Sequence, residues 1–208
     1  MSFHGGAVSA ANPVLHREGP KNRLVAIVCA GVLVLGAVLP LEATQDSTSS
    51  EYAWKANFLA KSASFVDWPA DSPTTVAGTF RWCVFGTYSF GTSLAEFTRD
   101  VTVNGKHSEV KWIHKEAELG SCQIIFVSRS EEKRYAKVLD AARTGRGLTV
   151  GETPGFLDAG GMVSLLMDGS TPGFEVNLEA VQAARLKMSS RLLALARRVV
   201  NHAATDKG

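Results

Sequence analysis

Cys83 and Cys122 are the residues best placed to do chemistry on the chain itself. The sequence has three cysteines, and Cys29 sits in an apolar run near the N-terminus, which leaves these two as an even pair. In an oxidising compartment such a pair suggests a disulfide. Two small buried hydrophobes are the other reading, because cysteine is among the most buried residue types.

The remaining chemistry-bearing residues do not assemble into a reactive set. There is no Gly-x-Ser-x-Gly nucleophile elbow and no His-Glu-x-x-His zinc helix. His107 and His114 lie seven apart in a stretch expected to be extended, without clustered carboxylates or thiolates, and His202 is remote; all three read as surface histidines rather than metal ligands. Glu116 and Glu118 have no third polar group to tune them and read as solvated loop carboxylates. The segment Gly86-Thr-Tyr-Ser-Phe-Gly91 follows an expected strand and precedes an expected helix, where parallel sheets bind anions. It lacks the Lys and Ser/Thr of a phosphate loop, so Gly86, Ser89 and Gly91 are weak ligand-loop candidates, with Ser89 available as a helix cap. No catalytic residue, metal ligand or cofactor is assigned. That tilts the reading from enzyme towards a binding or regulatory domain.

Whether the cysteines pair depends on the compartment, and the N-terminus addresses that. Arg17, Lys21 and Arg23 precede the uncharged run 24–39, which closes on Pro-Leu-Glu-Ala. This is the order of a secretory signal, and 1–43 is expected to be a signal peptide cut after Ala43. An uncleaved inner-membrane anchor through 24–39 is the alternative, because Leu41 is bulky for the position three before the cut. Either way the remainder lies outside the cytoplasm. Charge is nearly balanced, with Lys+Arg 22 against Asp+Glu 20, so nucleic acid is not expected as a partner.

A flexible linker over 44–50, one domain over 51–202 and a tail over 203–208 are expected. Residues 51–68 read as a helix stopped by Pro69. Tyr52, Ala56, Leu59, Ala63 and Val66 form one apolar stripe of it, while Trp54, Phe58 and Phe65 form a second, away from the first. Such a helix is buried on both flanks or docks one on a partner, which makes Trp54, Phe58 and Phe65 the interface candidates. The runs 80–86 and 122–127 read as strands buried on both faces. Between them a short helix over 90–98 and an extended stretch over 101–113, turned at Asn104-Gly105, are expected. A helix over 131–143, a strand over 148–150, a hairpin from 162–167 and 174–178, and terminal helices from 179 and from Ser189 or Ser190 complete the chain. In the last helix Leu192, Leu195, Ala196 and Val199 are expected on one face, with Arg191 and Arg198 opposite. The alternation predicts an α/β fold: a single compact domain with a mostly parallel sheet flanked by helices.

The order of motifs resembles the YfiR-like family of bacterial periplasmic regulators over residues 52 to about 200. The matching pieces are Tyr52-Ala-Trp-Lys-Ala-Asn-Phe-Leu, Phe65-Val-Asp-Trp-Pro69, Trp82-Cys-Val-Phe-Gly86 with Phe90-Gly91, Cys122-Gln-Ile-Ile-Phe126, Leu148-Thr-Val150, Gly160-Gly161, Phe174-Glu-Val-Asn177 and Ser189-Ser-Arg-Leu-Leu193. The resemblance implies a periplasmic protein, often a homodimer, that inhibits an inner-membrane diguanylate cyclase or related sensor by binding it without catalysis. An outer-membrane lipoprotein relieves that inhibition in similar systems, linking the envelope to cyclic-di-GMP and biofilm formation. Cys83 and Cys122 fall on family cysteine positions, which favours their disulfide. The alternative function is a periplasmic small-ligand sensor, with its pocket at the strand ends around Gly86 to Gly91 and Gly151 to Gly155.

Overall fold

The computed structural model describes residues 43–70, 78–87 and 90–201. The signal segment before Ala43, the alternative 24–39 anchor, Ser89, His202 and the 203–208 tail lie outside the described residues. Among those described, no helix is long and apolar enough to cross a membrane.

The strands are β1 (Val66–Asp67), β2 (Thr79–Phe85), β3 (Thr102–Val103), β4 (Lys106–Ile113), β5 (Ile124–Val127), β6 (Leu148–Gly151), β7 (Val163–Asp168), β8 (Thr171–Asn177), β9 (Lys187–Met188) and β10 (Arg198–Val200). Eight of them form one sheet in the order β10-β8-β7-β6-β5-β2-β4-β3. The central strands β4, β2, β5, β6 and β7 are parallel, as is β10 with β8; the hairpin pairs β7–β8 and β3–β4 are antiparallel. The fold is therefore α/β with a mostly parallel sheet, as the alternation of strands and helices predicts.

Helices cover both faces of the sheet. Along β2, Phe80, Trp82 and Val84 point into a core shared with Tyr52, Leu59 and Leu94. Those come from α1 (Ala43–Ser62) and α2 (Ser93–Thr98). Cys83 and Phe85 point the other way, into a core with Tyr135, Val138 and Leu139 of α3 (Tyr135–Arg143). This two-sided burial is why the strand sequences are continuously apolar. The strand turn at Asn104 (φ 51) and Gly105 (φ 76) puts both central residues in the left-handed region, as a tight hairpin requires.

Four local expectations need correction. Helix α1 takes in 44–50, expected as linker, and ends at Ser62 rather than running to Trp68. One 3-10 turn, Ala63–Phe65, follows, and Val66–Asp67 then pair antiparallel with β9. A β-branched valine and the restriction placed by Pro69 on Trp68 favour the extended backbone there. The helix expected over 131–143 is split into a 3-10 segment, Arg129–Arg134, and α3. The hairpin connection is tighter than expected, with Asp168 paired directly to Thr171. At the C-terminus, α4 (Leu178–Ala183) and α5 (Ser190–Leu193) are short, and Ser189 caps α5 by accepting from the Arg191 N–H. Residues 198–200 are not helix but β10, held on β8 with a bidentate Arg198–Glu175 pair. The supposed common face is consequently divided: Leu192 is buried whereas Leu195 and Val199 are exposed.

Candidate functional site

Glu152 directly follows β6 at the carboxyl end of the parallel strands, where open α/β sheets usually bind ligands. Its side chain is fully buried. Two residues from one turn of α1 reach it: Tyr52 Oη donates to both carboxylate oxygens, at 3.2 and 3.0 Å, and Lys55 Nζ lies 2.5 Å from Oε2. The same ammonium donates to Glu51 and stands 4.4 Å from the centre of the Tyr52 ring. From the turn after β5, the Arg129 backbone N–H donates to Glu152 Oε1 at 2.9 Å, and its guanidinium lies 3.5 Å from both Glu51 and Glu152. Helix spacing explains the set, because Glu51 and Lys55 are i, i+4 neighbours and Tyr52 is i−3 to Lys55.

Burial alone would raise the Glu152 carboxyl; the Lys55 hydrogen bond, the Arg129 N–H and both cationic charges outweigh it and hold the group below the usual carboxylate range. Burial, then the Glu152 charge and hydrogen bond, push the Tyr52 phenol up to about 12 from 10.0. A phenol raised in this way stabilises the fold fully below its unfolded value and progressively less as pH climbs towards the folded one. The wild type should lose up to about 3 kcal/mol between pH 10 and 12 through this group. Tyr52→Phe starts less stable but should lack that alkaline limb; urea midpoints measured from pH 9 upward that fall in parallel for both proteins would contradict the assignment.

The carboxyl-end crevice is thereby filled by the chain's own groups. Glu152 occupies the N-terminus of the Arg129–Arg134 turn, where an anion would sit. Gly86, at φ 96, has Ser130 Oγ where a Cβ would come within 2.6 Å, and Ser130 Oγ accepts the Thr87 N–H at 2.9 Å. Phe90 is buried between Tyr52 and Phe126, at 5.2 and 4.8 Å between ring centres. Gly91 (φ 53) turns the chain into α2, whose N-cap is Thr92 rather than Ser89. Outside them lies an open depression between Gly86, Thr87, His114, Glu131 and Arg134. There Arg134 is already paired with Glu131 and Glu116. His107 and His114 are exposed, and no cluster of metal-ligating residues occurs among the described residues.

The interface candidates do meet. Trp54, Phe58 and Phe65 are half-buried and line a groove of about 380 Å³ with Pro172, Phe174, Leu192 and Leu195. Phe58 packs on Phe174 at 4.8 Å between ring centres, and Leu195 is 73% exposed at the rim. Sequence reading missed Phe174 because it alternates like any core residue of a strand, and Leu195 because it was placed on a helix face. It missed Glu152 and the role of Lys55 altogether; a lysine one turn from the buried stripe was the sole signal.

Cys83 and Cys122 form a disulfide, with Cα atoms 5.9 Å apart, stapling β2 to the start of its neighbour β5 inside the α3-side core. Fold and site together define a small, disulfide-stapled, doubly covered α/β domain whose ligand crevice is closed from within and whose apolar groove is open. The chain belongs to the YfiR/HmsC-like family, whose profile matches residues 52–197. No curated protein matches. Among solved structures, an ABC domain in complex with L-Trp from Streptococcus pneumonia is 12% identical over 70% of this chain and 60% of that one, with a TM-score of 0.47. A conserved domain protein from Vibrio cholerae is 13% identical over 62% and 60%, with a TM-score of 0.42. The chain thus spans about 60% of the length of each.

Proposed function

We propose that this protein is a periplasmic regulator that binds and inhibits an inner-membrane signalling protein, a diguanylate cyclase, by occupancy rather than chemistry. Membership of the YfiR/HmsC-like family over residues 52–197 carries this reading. The export signal at 1–43 supplies the address, and release by an outer-membrane lipoprotein and homodimer formation belong to the same proposal. The groove of Trp54, Phe58 and Phe65 is its docking surface, since desolvated aromatic anchors supply most of the free energy of a protein interface.

Leu195 gives the cleanest test, because at 73% exposure a charge there leaves the core alone. Phe58 is less clean, since its ring supports buried Phe174. Leu195→Asp should weaken capture of the native membrane partner from detergent-solubilised envelope by about 30-fold, the loss of one interface hot spot. Its melting temperature should match the wild type. Unchanged capture would remove the groove from the interface.

A further inference from the structure

The opposite end of the sheet holds a second, less open cavity. A partly open cavity of about 340 Å³ lies between α3, α4 and the beginnings of β6 and β7, a size typical of small-molecule sites. Alanines make much of the wall: Ala142 on α3, and Ala180, Ala183 and Ala184 along and just after α4. Alanines facing the space from both helices leave a gap that larger side chains would close.

Thr149 of β6 lines this cavity and is 97% buried, at 3% exposure. Its Oγ1 accepts the Met162 N–H at 3.2 Å, while its own proton has no acceptor among the described residues. A hydroxyl can donate as well as accept, and a buried donor left unused is costly. At the mouth stand Arg143, Arg146 and Glu179. Among the described residues Arg143 is paired with Asp140 alone, at 2.7 Å, the two side chains being 58% and 71% exposed. Such surface pairs are weak enough to be redirected, and a guanidinium has five donors to share.

The geometry points to a binding site for a small amphipathic organic acid. Its apolar body lies against the alanines and Met162, an oxygen acceptor takes the Thr149 proton, and its carboxylate meets Arg143 and Arg146 at the mouth. The site is distinct from the groove and from the Glu152 cluster, so it stands independently of the proposed partner.

Amide-resolved NMR titration of the exported protein with benzoylpropionate, phenylbutyrate and phenylbutanol tests it. Benzoylpropionate offers both the ketone acceptor and the carboxylate, phenylbutyrate the carboxylate alone, and phenylbutanol neither the ketone nor the charge. Benzoylpropionate should bind tightest and shift the amides of Thr149, Met162 and Ala180 to Ala184. Ala183→Trp, an exposed position beside the cavity, should abolish those shifts. Thr149→Val should weaken benzoylpropionate by about tenfold, one hydrogen bond, and leave phenylbutyrate nearly unchanged. Equal binding of phenylbutanol would overturn the anionic class. Shifts elsewhere, none at all, or shifts that survive in both variants would overturn the site.

Discussion

Glu152→Ala should destabilise the domain by about 3–5 kcal/mol, the cost of breaking a buried ion pair from one side. The carboxylate accepts from the Tyr52 hydroxyl, the Lys55 ammonium and the Arg129 N–H. Removing it leaves Lys55, 1% exposed, with Glu51 as its remaining carboxylate. The penalty is that of a stranded charge and not the net worth of the pair, so the control is to remove both sides. Lys55→Met with Glu152→Leu should recover most of the loss, because hydrophobic replacements of buried pairs are often neutral or stabilising. Glu152→Gln should separate the acid limb. A carboxyl depressed in the folded state contributes stability above its unfolded value, about 4.3, and loses it as pH falls through the lower folded value. The glutamine variant lacks that dependence. Urea unfolding of the four proteins between pH 3 and 7 measures all of this, and a Glu152→Ala protein within 1 kcal/mol of wild type would show that the cluster does not hold α1 down.

That outcome matters beyond stability. Helix α1 carries Tyr52 and Lys55 on one side and Trp54 and Phe58 on another. The cluster therefore fixes the pitch at which the groove aromatics are presented. Any folded Glu152 variant with a loosened α1 should bind the proposed partner more weakly, although Glu152 lies outside the groove.

Patterns imposed on whole elements were readable from the sequence. Ile124 to Val127 is apolar throughout because it is covered twice, and Tyr52, Ala56 and Leu59 keep helical spacing because each is buried in the core beside the sheet. What escaped were features decided by distant partners. Residues 198–200 became a strand because β8 offered an unpaired edge, which no local propensity reports. Val66 and Asp67 left the helix because β9, more than a hundred residues later, pairs with them. Nothing local marks Glu152, since its partners at positions 51 to 55 and 129 meet it only after the sheet has assembled. Trp54, Phe58 and Phe65 were found as a flank of one helix, but the wall opposite them comes from the hairpin and α5. Local period reveals a face; it does not reveal what that face meets.

Replacing both cysteines, Cys83→Ala with Cys122→Ala, should lower stability by about 4 kcal/mol, the chain-entropy expectation for releasing a loop of ~40 residues. For a domain of this size that is a large share of the total. The position of the bond argues for a staple rather than a sensor. Cys83 is 1% exposed and Cys122 is 0% exposed, beneath α3 and the 3-10 turn that contains Leu119. A thiolate reductant must reach a sulfur in line, and here it can do so only after β2, β5 and their cover open. Reduction by dithiothreitol should therefore be slow in buffer and accelerate steeply in urea, in step with unfolding, as read by mass spectrometry of alkylated thiols. Partner capture by the double variant, assayed at a temperature where it remains folded, should equal that of the wild type, because neither sulfur lines the Trp54 groove. Rapid reduction of the native protein, or lost capture by a folded double variant, would make the bond a redox input to the proposed regulator. Without either, envelope redox state reaches the partner surface only by changing how much folded protein there is to present it.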